Sequence, residues 1–152
     1  MINCKPISNP LGQKNHLTLK TNDEEIKFKA LGINYHSSIE SINYFSTATH
    51  TDLSFSVSSL SQLLERPGIQ NLKAFLHVLW YLKGTEDVDI LFQRQQTSGI
   101  SSYTNTYWGN YHESCFSVTG FLEIFNGLLV PWKTHKQPTI SLSTSEEEKF
   151  SL

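Results

Sequence analysis

The sequence predicts an α+β fold in which a helical first half precedes a sheet of short strands. Up to about Gly84, apolar residues recur at helical spacing, as in helices that bury one face. After Thr85 the pattern changes to short runs of β-branched and aromatic residues between turn residues, which is typical of strands. We therefore divide the chain into an extended lead-in over 1–22, a helical region over 23–85 and a sheet region over 86–152.

The first half is predicted to hold a small bundle of about three helices. Acidic residues at 23–25 open the helical region, since negative charge favours a helix N-terminus. A helix from about Ile33 to Thr47 is predicted from one apolar face. The members of that face are Tyr35, Ile39, Ile42 and Phe45.

The next segment, 53–58, alternates apolar and small polar residues as a half-buried strand would. A helix is favoured because one helical face continues past the alternation, and because Thr49 with Asp52 fits a capping box. That face consists of Leu53, Val57, Leu60 and Leu64. Pro67 and Gly68 are expected to end this helix.

The last predicted helix of the first half has the cleanest apolar stripe in the chain. Its members are Leu72, Phe75, Leu76, Leu79 and Leu82. Lys83 in the final turn and Gly84 just beyond it are typical of a helix C-terminus.

In the second half, strands are predicted at Val88–Phe92, Gly99–Asn105, Ser117–Phe125 and Leu128–Trp132. Asn126-Gly127 between two apolar runs predicts a two-residue hairpin turn, because both residues tolerate positive φ. Ser143 with Glu146 forms a second capping box, so a helix is expected to begin near Thr144.

Composition sets limits on the function. The net charge is −2 and charged residues make up 17%, so the chain lacks the global basic character of many nucleic-acid-binding domains. No apolar run approaches the roughly 20 residues that span a bilayer. Cys4 and Cys115 lie far apart and are read as free thiols. We expect a soluble intracellular protein of the cytoplasm or nucleus without a membrane partner.

Ordered motifs run along the chain. Residues 35–44 read Tyr-His-Ser-Ser-Ile-Glu-Ser-Ile-Asn-Tyr, 49–53 read Thr-His-Thr-Asp-Leu, 79–85 read Leu-Trp-Tyr-Leu-Lys-Gly-Thr and 103–109 read Tyr-Thr-Asn-Thr-Tyr-Trp-Gly. With 4–11 and 132–148, they resemble copia-type LTR retrotransposon polyproteins. The resemblance implies a helical thumb and connection region from the end of a reverse transcriptase. A truncated RNase H-like β-hairpin sheet with the start of one helix would follow.

The family activities are RNA-directed DNA polymerisation and cleavage of RNA–DNA hybrids, the latter with Mg²⁺ bound by clustered carboxylates. The resemblance places Asn105 where the family has its first metal-binding Asp, and Tyr107 where it has a second Asp. Glu148 stands at the family Glu position and is a weak metal candidate. It is also readily explained as a first-turn acid of a helix. We expect no catalytic activity and no bound cofactor.

Further departures fall on charged motif positions. His36, His50 and Trp80 stand where the family has Arg, and Glu40 stands where it has Gly. The resemblance also implies that Lys133, His135 and Lys136, a small basic cluster on a strand-end loop, face nucleic acid. A solvated surface is the favoured explanation of these three residues.

Two hypotheses follow. The first is a degenerate, truncated polyprotein fragment without catalysis, whose partners would be RNA–DNA hybrid, weakly, and the remainder of the polyprotein. The alternative is a residual nucleic-acid-binding or protein-interaction module. Such a module would group its cations on one surface, and the candidates are Lys73, Lys83, Arg94, Lys133 and Lys136.

Overall fold

The computed structural model describes residues 7–12, 31–88, 90, 99–107 and 117–137. The chain separates into two compact units, residues 1–89 and 90–152. Within the described residues the first unit contains three α-helices and the second contains a three-stranded antiparallel sheet, which confirms the α+β class. All three strands follow Gly84 in the sequence.

Helix α1 spans Tyr35–Ala48 and confirms the predicted helix at 33–47. It begins there because the Asn34 side chain accepts a hydrogen bond from the Ser37 backbone N–H at 3.2 Å. A side-chain acceptor at this position satisfies one of the donors that the first helical turn leaves without a partner.

The ambiguous second segment is helical, as predicted. A 3-10 turn, Thr51–Leu53, leads directly into helix α2, Ser54–Ser61. The predicted capping box is wrong: His50 occupies the cap position, and no side chain caps the turn. The Asp52 carboxylate instead accepts a hydrogen bond from Tyr81. Helix α2 also ends before the predicted stop at Pro67-Gly68, because a turn begins at Gln62.

Helix α3 spans Ile69–Gly84 and packs with α1 and α2 around one apolar core. Its most buried face differs from the predicted stripe. Leu72 and Phe75 are buried, but the face then continues through Val78 and Tyr81, while the three later leucines are only partly buried. The core consists of Tyr35, Ile39, Ile42, Leu53, Val57, Leu60, Leu72, Ala74, Phe75, Val78 and Tyr81.

The sheet has the order β1-β2-β3, with β1 at Ile100–Tyr107, β2 at Val118–Phe125 and β3 at Leu128–Lys136. Asn126 (φ 51°) and Gly127 (φ 78°) join β2 to β3. Positive φ at both turn residues is the requirement of a type I′ hairpin, so the predicted turn is confirmed.

Strand β3 runs four residues beyond the predicted end at Trp132. Leu122 pairs with Trp132 but Ile124 pairs with Leu129, so β3 carries one extra residue in a bulge. Pro131 lies in this irregular part of β3, which is an edge strand of the described sheet. A proline lacks the N–H of a regular ladder and is tolerated at such places.

Other predictions fall on residues that the structure does not describe. The acidic opening at 23–25 and the helix near Thr144 lie wholly outside the described residues, as does most of the lead-in. Of the predicted strand Val88–Phe92, only Val88 and Ile90 are described, and neither lies in a strand. In the described part of the chain, no helix has the length and apolar character needed to cross a bilayer.

Candidate functional site

Asn105, which the resemblance predicts at the family Asp position, lies on β1, an edge strand of the described sheet. It is exposed, and it pairs with Gly120 on β2, which in turn pairs with Thr134 on β3. Side chains alternate between the two faces of a sheet, so Asn105 shares its face with Tyr103, Leu122 and Trp132. We call this face the Asn105 face.

The Asn105 face carries no carboxylate among the described residues. Glu123 is the single acid in the described sheet, and its pairing with Ser102 places it on the opposite face. Glu148 and Trp108 lie outside the described residues, as does the side chain of Tyr107. Across the described part of the chain, no group of three or more His, Cys, Asp or Glu residues is arranged to hold a metal ion.

The basic residues of β3 divide between the two faces of the sheet. Lys133 and His135 are exposed on the face opposite Asn105, where Lys133 pairs with Phe121. Lys136 lies on the Asn105 face and is partly buried. The prediction that these residues lie on a strand-end loop is wrong, because all three belong to β3. Successive side chains of a strand point to opposite faces of the sheet, so the adjacent residues His135 and Lys136 lie on different faces.

The wider basic surface stays a prediction. Lys73 and Lys83 are exposed on α3 in the first unit, while Arg94 lies outside the described residues. Lys133 and Lys136 belong to the second unit. The described residues thus supply one small exposed basic pair on the sheet, Lys133 with His135.

In the helical unit, several motif residues that match the family lie in the core, and two that depart from it lie on the surface. Tyr35 and Ile39 are 4% and 2% exposed. His36 and Glu40, which by the resemblance stand at Arg and Gly positions, are exposed one helical turn apart, with His36 Nδ1 3.5 Å from Glu40 Oε1. These two replacements therefore do not disturb the packing of α1.

A polar contact that the sequence analysis missed joins two of the motifs. The hydroxyl of Tyr81 on α3 donates to Asp52 Oδ2 in the 3-10 turn, and His50 Nδ1 lies 3.8 Å from Asp52 Oδ1. Burial, together with the hydrogen bond and the negative charge of Asp52, raises the pKa of Tyr81 from 10.0 to about 12. The sequence signal that could have predicted this contact was the presence of Asp52 in the motif at 49–53 and of Tyr81 in the motif at 79–85.

Replacing the tyrosine tests this contact. We expect Tyr81→Phe to lower the free energy of unfolding by about 1 kcal/mol, since the bond to a charged acceptor is lost but Asp52 is partly solvated. The folded state favours the neutral phenol, so this stabilisation is complete below pH 10.0 and disappears as the pH rises through about 12. Urea unfolding of wild type and Tyr81→Phe across this pH range measures it. A constant difference up to the highest pH would contradict the assignment.

An open cleft of about 630 Å³ lies in the helical unit, lined by His36 and residues 61–66. It contains none of the residues predicted for metal or nucleic-acid binding. Arg66 places a cation at this cleft, and Glu65 places an opposing charge beside it, while His36 adds an imidazole ring. The cleft therefore offers no clear charge preference for a ligand.

Comparison with known proteins adds the evolutionary context. A secreted RxLR effector protein of Plasmopara viticola is 34% identical over 118 residues, which is 78% of this chain and 83% of that protein. The retrovirus-related Pol polyprotein of transposon TNT 1-94 from Nicotiana tabacum is 31% identical over 97% of this chain. That of transposon RE1 from Arabidopsis thaliana is 25% identical over 100% of it. No protein-family model and no solved structure matches the chain.

The chain spans only a small part of these polyproteins. It corresponds to 11% of the TNT 1-94 polyprotein and 10% of the RE1 polyprotein. The match nevertheless runs along nearly the whole of this chain, through both the helical unit and the sheet. Both units are therefore similar to one segment of those polyproteins.

Proposed function

The chain belongs to the copia-type retrotransposon Pol family, and from this premise we propose that it represents the junction between the reverse transcriptase and RNase H regions. The order of the elements supports this proposal. Three helices with thumb- and connection-like motifs precede an antiparallel hairpin sheet, the order expected at such a junction. The proposed RNase H-like part is the sheet β1-β2-β3.

We propose further that this segment does not cleave RNA–DNA hybrids. The observation that carries the proposal is the chemistry of the Asn105 face. A neutral amide stands at the proposed metal position, and the cross-strand neighbours are Gly120 and Thr134. Two adjacent Mg²⁺ ions need anionic oxygen ligands that offset their charge, and an amide supplies none.

We expect the purified chain to leave a labelled RNA–DNA hybrid intact with either Mg²⁺ or Mn²⁺. Asn105→Asp alone is expected to remain inactive, because one carboxylate on this face cannot hold a pair of dications. The measurement is hybrid cleavage by wild type, Asn105→Asp and Glu148→Ala. Wild-type cleavage that disappears in Glu148→Ala would overturn the proposal, while cleavage that persists in this variant identifies a contaminating nuclease.

A residual nucleic-acid-binding role is the second candidate. It is favoured by the exposed Lys133 and His135, which share a sheet face with Phe121. Cations contact phosphates, and a neighbouring aromatic ring can support a base. Lys136, on the other face, would contribute little to the same contact. Salt-dependent binding of the labelled hybrid to the chain distinguishes this role from an inert fragment.

A further inference from the structure

The hairpin turn contains the dipeptide Asn126-Gly127, and its asparagine is hydrogen-bonded to the residue that precedes β1. Asn126 is followed by Gly127, which is exposed and has no side chain to shield its backbone nitrogen. Asn126 itself is partly exposed. Its backbone N–H donates to Gly99 O at 3.0 Å, and its Oδ1 accepts from Gly99 N–H, also at 3.0 Å. One side chain therefore joins the β2–β3 turn to the start of β1.

We infer that Asn126 is a latent deamidation site that the folded sheet protects. In the reaction the Gly127 backbone nitrogen attacks Asn126 Cγ. A new N–Cγ bond forms, the Cγ–Nδ2 bond breaks, and the NH2 group leaves as ammonia with the proton lost from the Gly127 nitrogen, so that a cyclic imide remains. Solvent water then opens the imide. Opening at Cγ yields aspartate, and opening at the backbone carbonyl carbon yields isoaspartate.

The fold opposes the first step in two ways. Ring closure must bring Cγ to the Gly127 nitrogen, which requires rotation about the ψ and χ1 bonds of Asn126. The two-residue type I′ turn between the paired residues Phe125 and Leu128 restricts ψ. The rotation also pulls Oδ1 away from Gly99 N–H, so a hydrogen bond must be lost before the reaction. Unfolding removes both restraints together.

The two products of deamidation would affect the contact with Gly99 differently. Aspartate keeps an acceptor oxygen for Gly99 N–H but adds a negative charge to the turn. Isoaspartate inserts a methylene carbon into the backbone, and the type I′ turn no longer fits two residues between Phe125 and Leu128. The second product should therefore loosen the hairpin and release the start of β1.

The test compares deamidation of the full chain when folded and when unfolded in urea at mildly alkaline pH. Peptide mass mapping gives the fraction converted at Asn126, and exposed Asn105, followed by Thr106, is the reference within the same sample. We expect Asn126 to react much faster than Asn105 in urea and to be slowed strongly in the folded chain. Equal rates for Asn126 in both states would overturn the inference.

A matched pair of variants isolates the hydrogen bond. Gly99→Pro removes the N–H donor, whereas Gly99→Ala keeps it and places a Cβ in open space. We expect roughly a fivefold faster reaction in Gly99→Pro, the factor that one net hydrogen bond supplies. Gly99→Ala should match wild type, and equal rates in the two variants would refute the protective role of this bond.

Because Gly99→Pro could unfold the sheet, hydrogen exchange provides an independent measurement. In Asn126→Gly the turn retains a residue suited to positive φ, but the side-chain acceptor is gone. We expect the Gly99 amide to exchange faster in this variant than in wild type, while the amides of the β2–β3 ladder stay protected. Unchanged Gly99 exchange would show that the side chain does not hold this amide.

Discussion

Leu60→Ala is expected to lower the free energy of unfolding by roughly 2–5 kcal/mol, the range for deletion of a fully buried leucine side chain. Leu60 lies on α2, is 0% exposed and belongs to the core of the helical unit. Truncation removes apolar contacts and leaves a cavity between helices that relax only in part. Urea unfolding followed by helical circular dichroism measures the change.

Leu31→Ala is the matched control, because it makes the same chemical change at a residue that is 53% exposed. We expect it to shift the free energy of unfolding by at most about 0.5 kcal/mol. Equal effects of the two substitutions would mean that Leu60 is not buried in solution. If the helical circular dichroism signal is lost even without urea in Leu60→Ala but not in Leu31→Ala, this result would also agree with a buried Leu60.

Asn71→Leu is expected to have the opposite sign and to raise the free energy of unfolding by roughly 1–3 kcal/mol. Asn71 lies on α3 and is 0% exposed, and neither Oδ1 nor Nδ2 has a hydrogen-bond partner among the described residues. Burial of an amide without hydrogen-bond partners destabilises the folded state, because the amide loses its hydrogen bonds to water. Leucine has a similar branched shape and carries no polar atoms.

Gln70→Leu provides the control for Asn71→Leu, because it adds a leucine at the neighbouring exposed position of α3. Leucine is close to glutamine in intrinsic helix propensity but exceeds asparagine by a few tenths of a kcal/mol, so only a difference larger than this reports burial. A stabilisation in Asn71→Leu that is absent in Gln70→Leu supports the account. Destabilisation in Asn71→Leu would show that the amide is hydrogen-bonded in solution.

The candidate site could be predicted in part. The strand pattern correctly placed Asn105 on β1, because that pattern depends on residues that are close in sequence. Its role at a metal position stays a prediction from the resemblance. The division of Lys133 and His135 from Lys136 was not predicted, because it required the true end of β3. Because β3 is four residues longer than predicted, these residues lie on a strand and are divided between the two faces of the sheet. Glu148 stays a prediction from the resemblance.

The sequence by itself determined the helices, the Asn126-Gly127 turn and the family, because helical period, turn chemistry and motif order are local properties. Only the tertiary structure decided which face of α3 is buried and that Asp52 bonds Tyr81 instead of capping its own turn. Both outcomes depend on partners 29 residues apart or on other helices. A local sequence pattern shows which contacts a residue is able to make. Which of these contacts forms depends on burial and on partners that are distant in sequence.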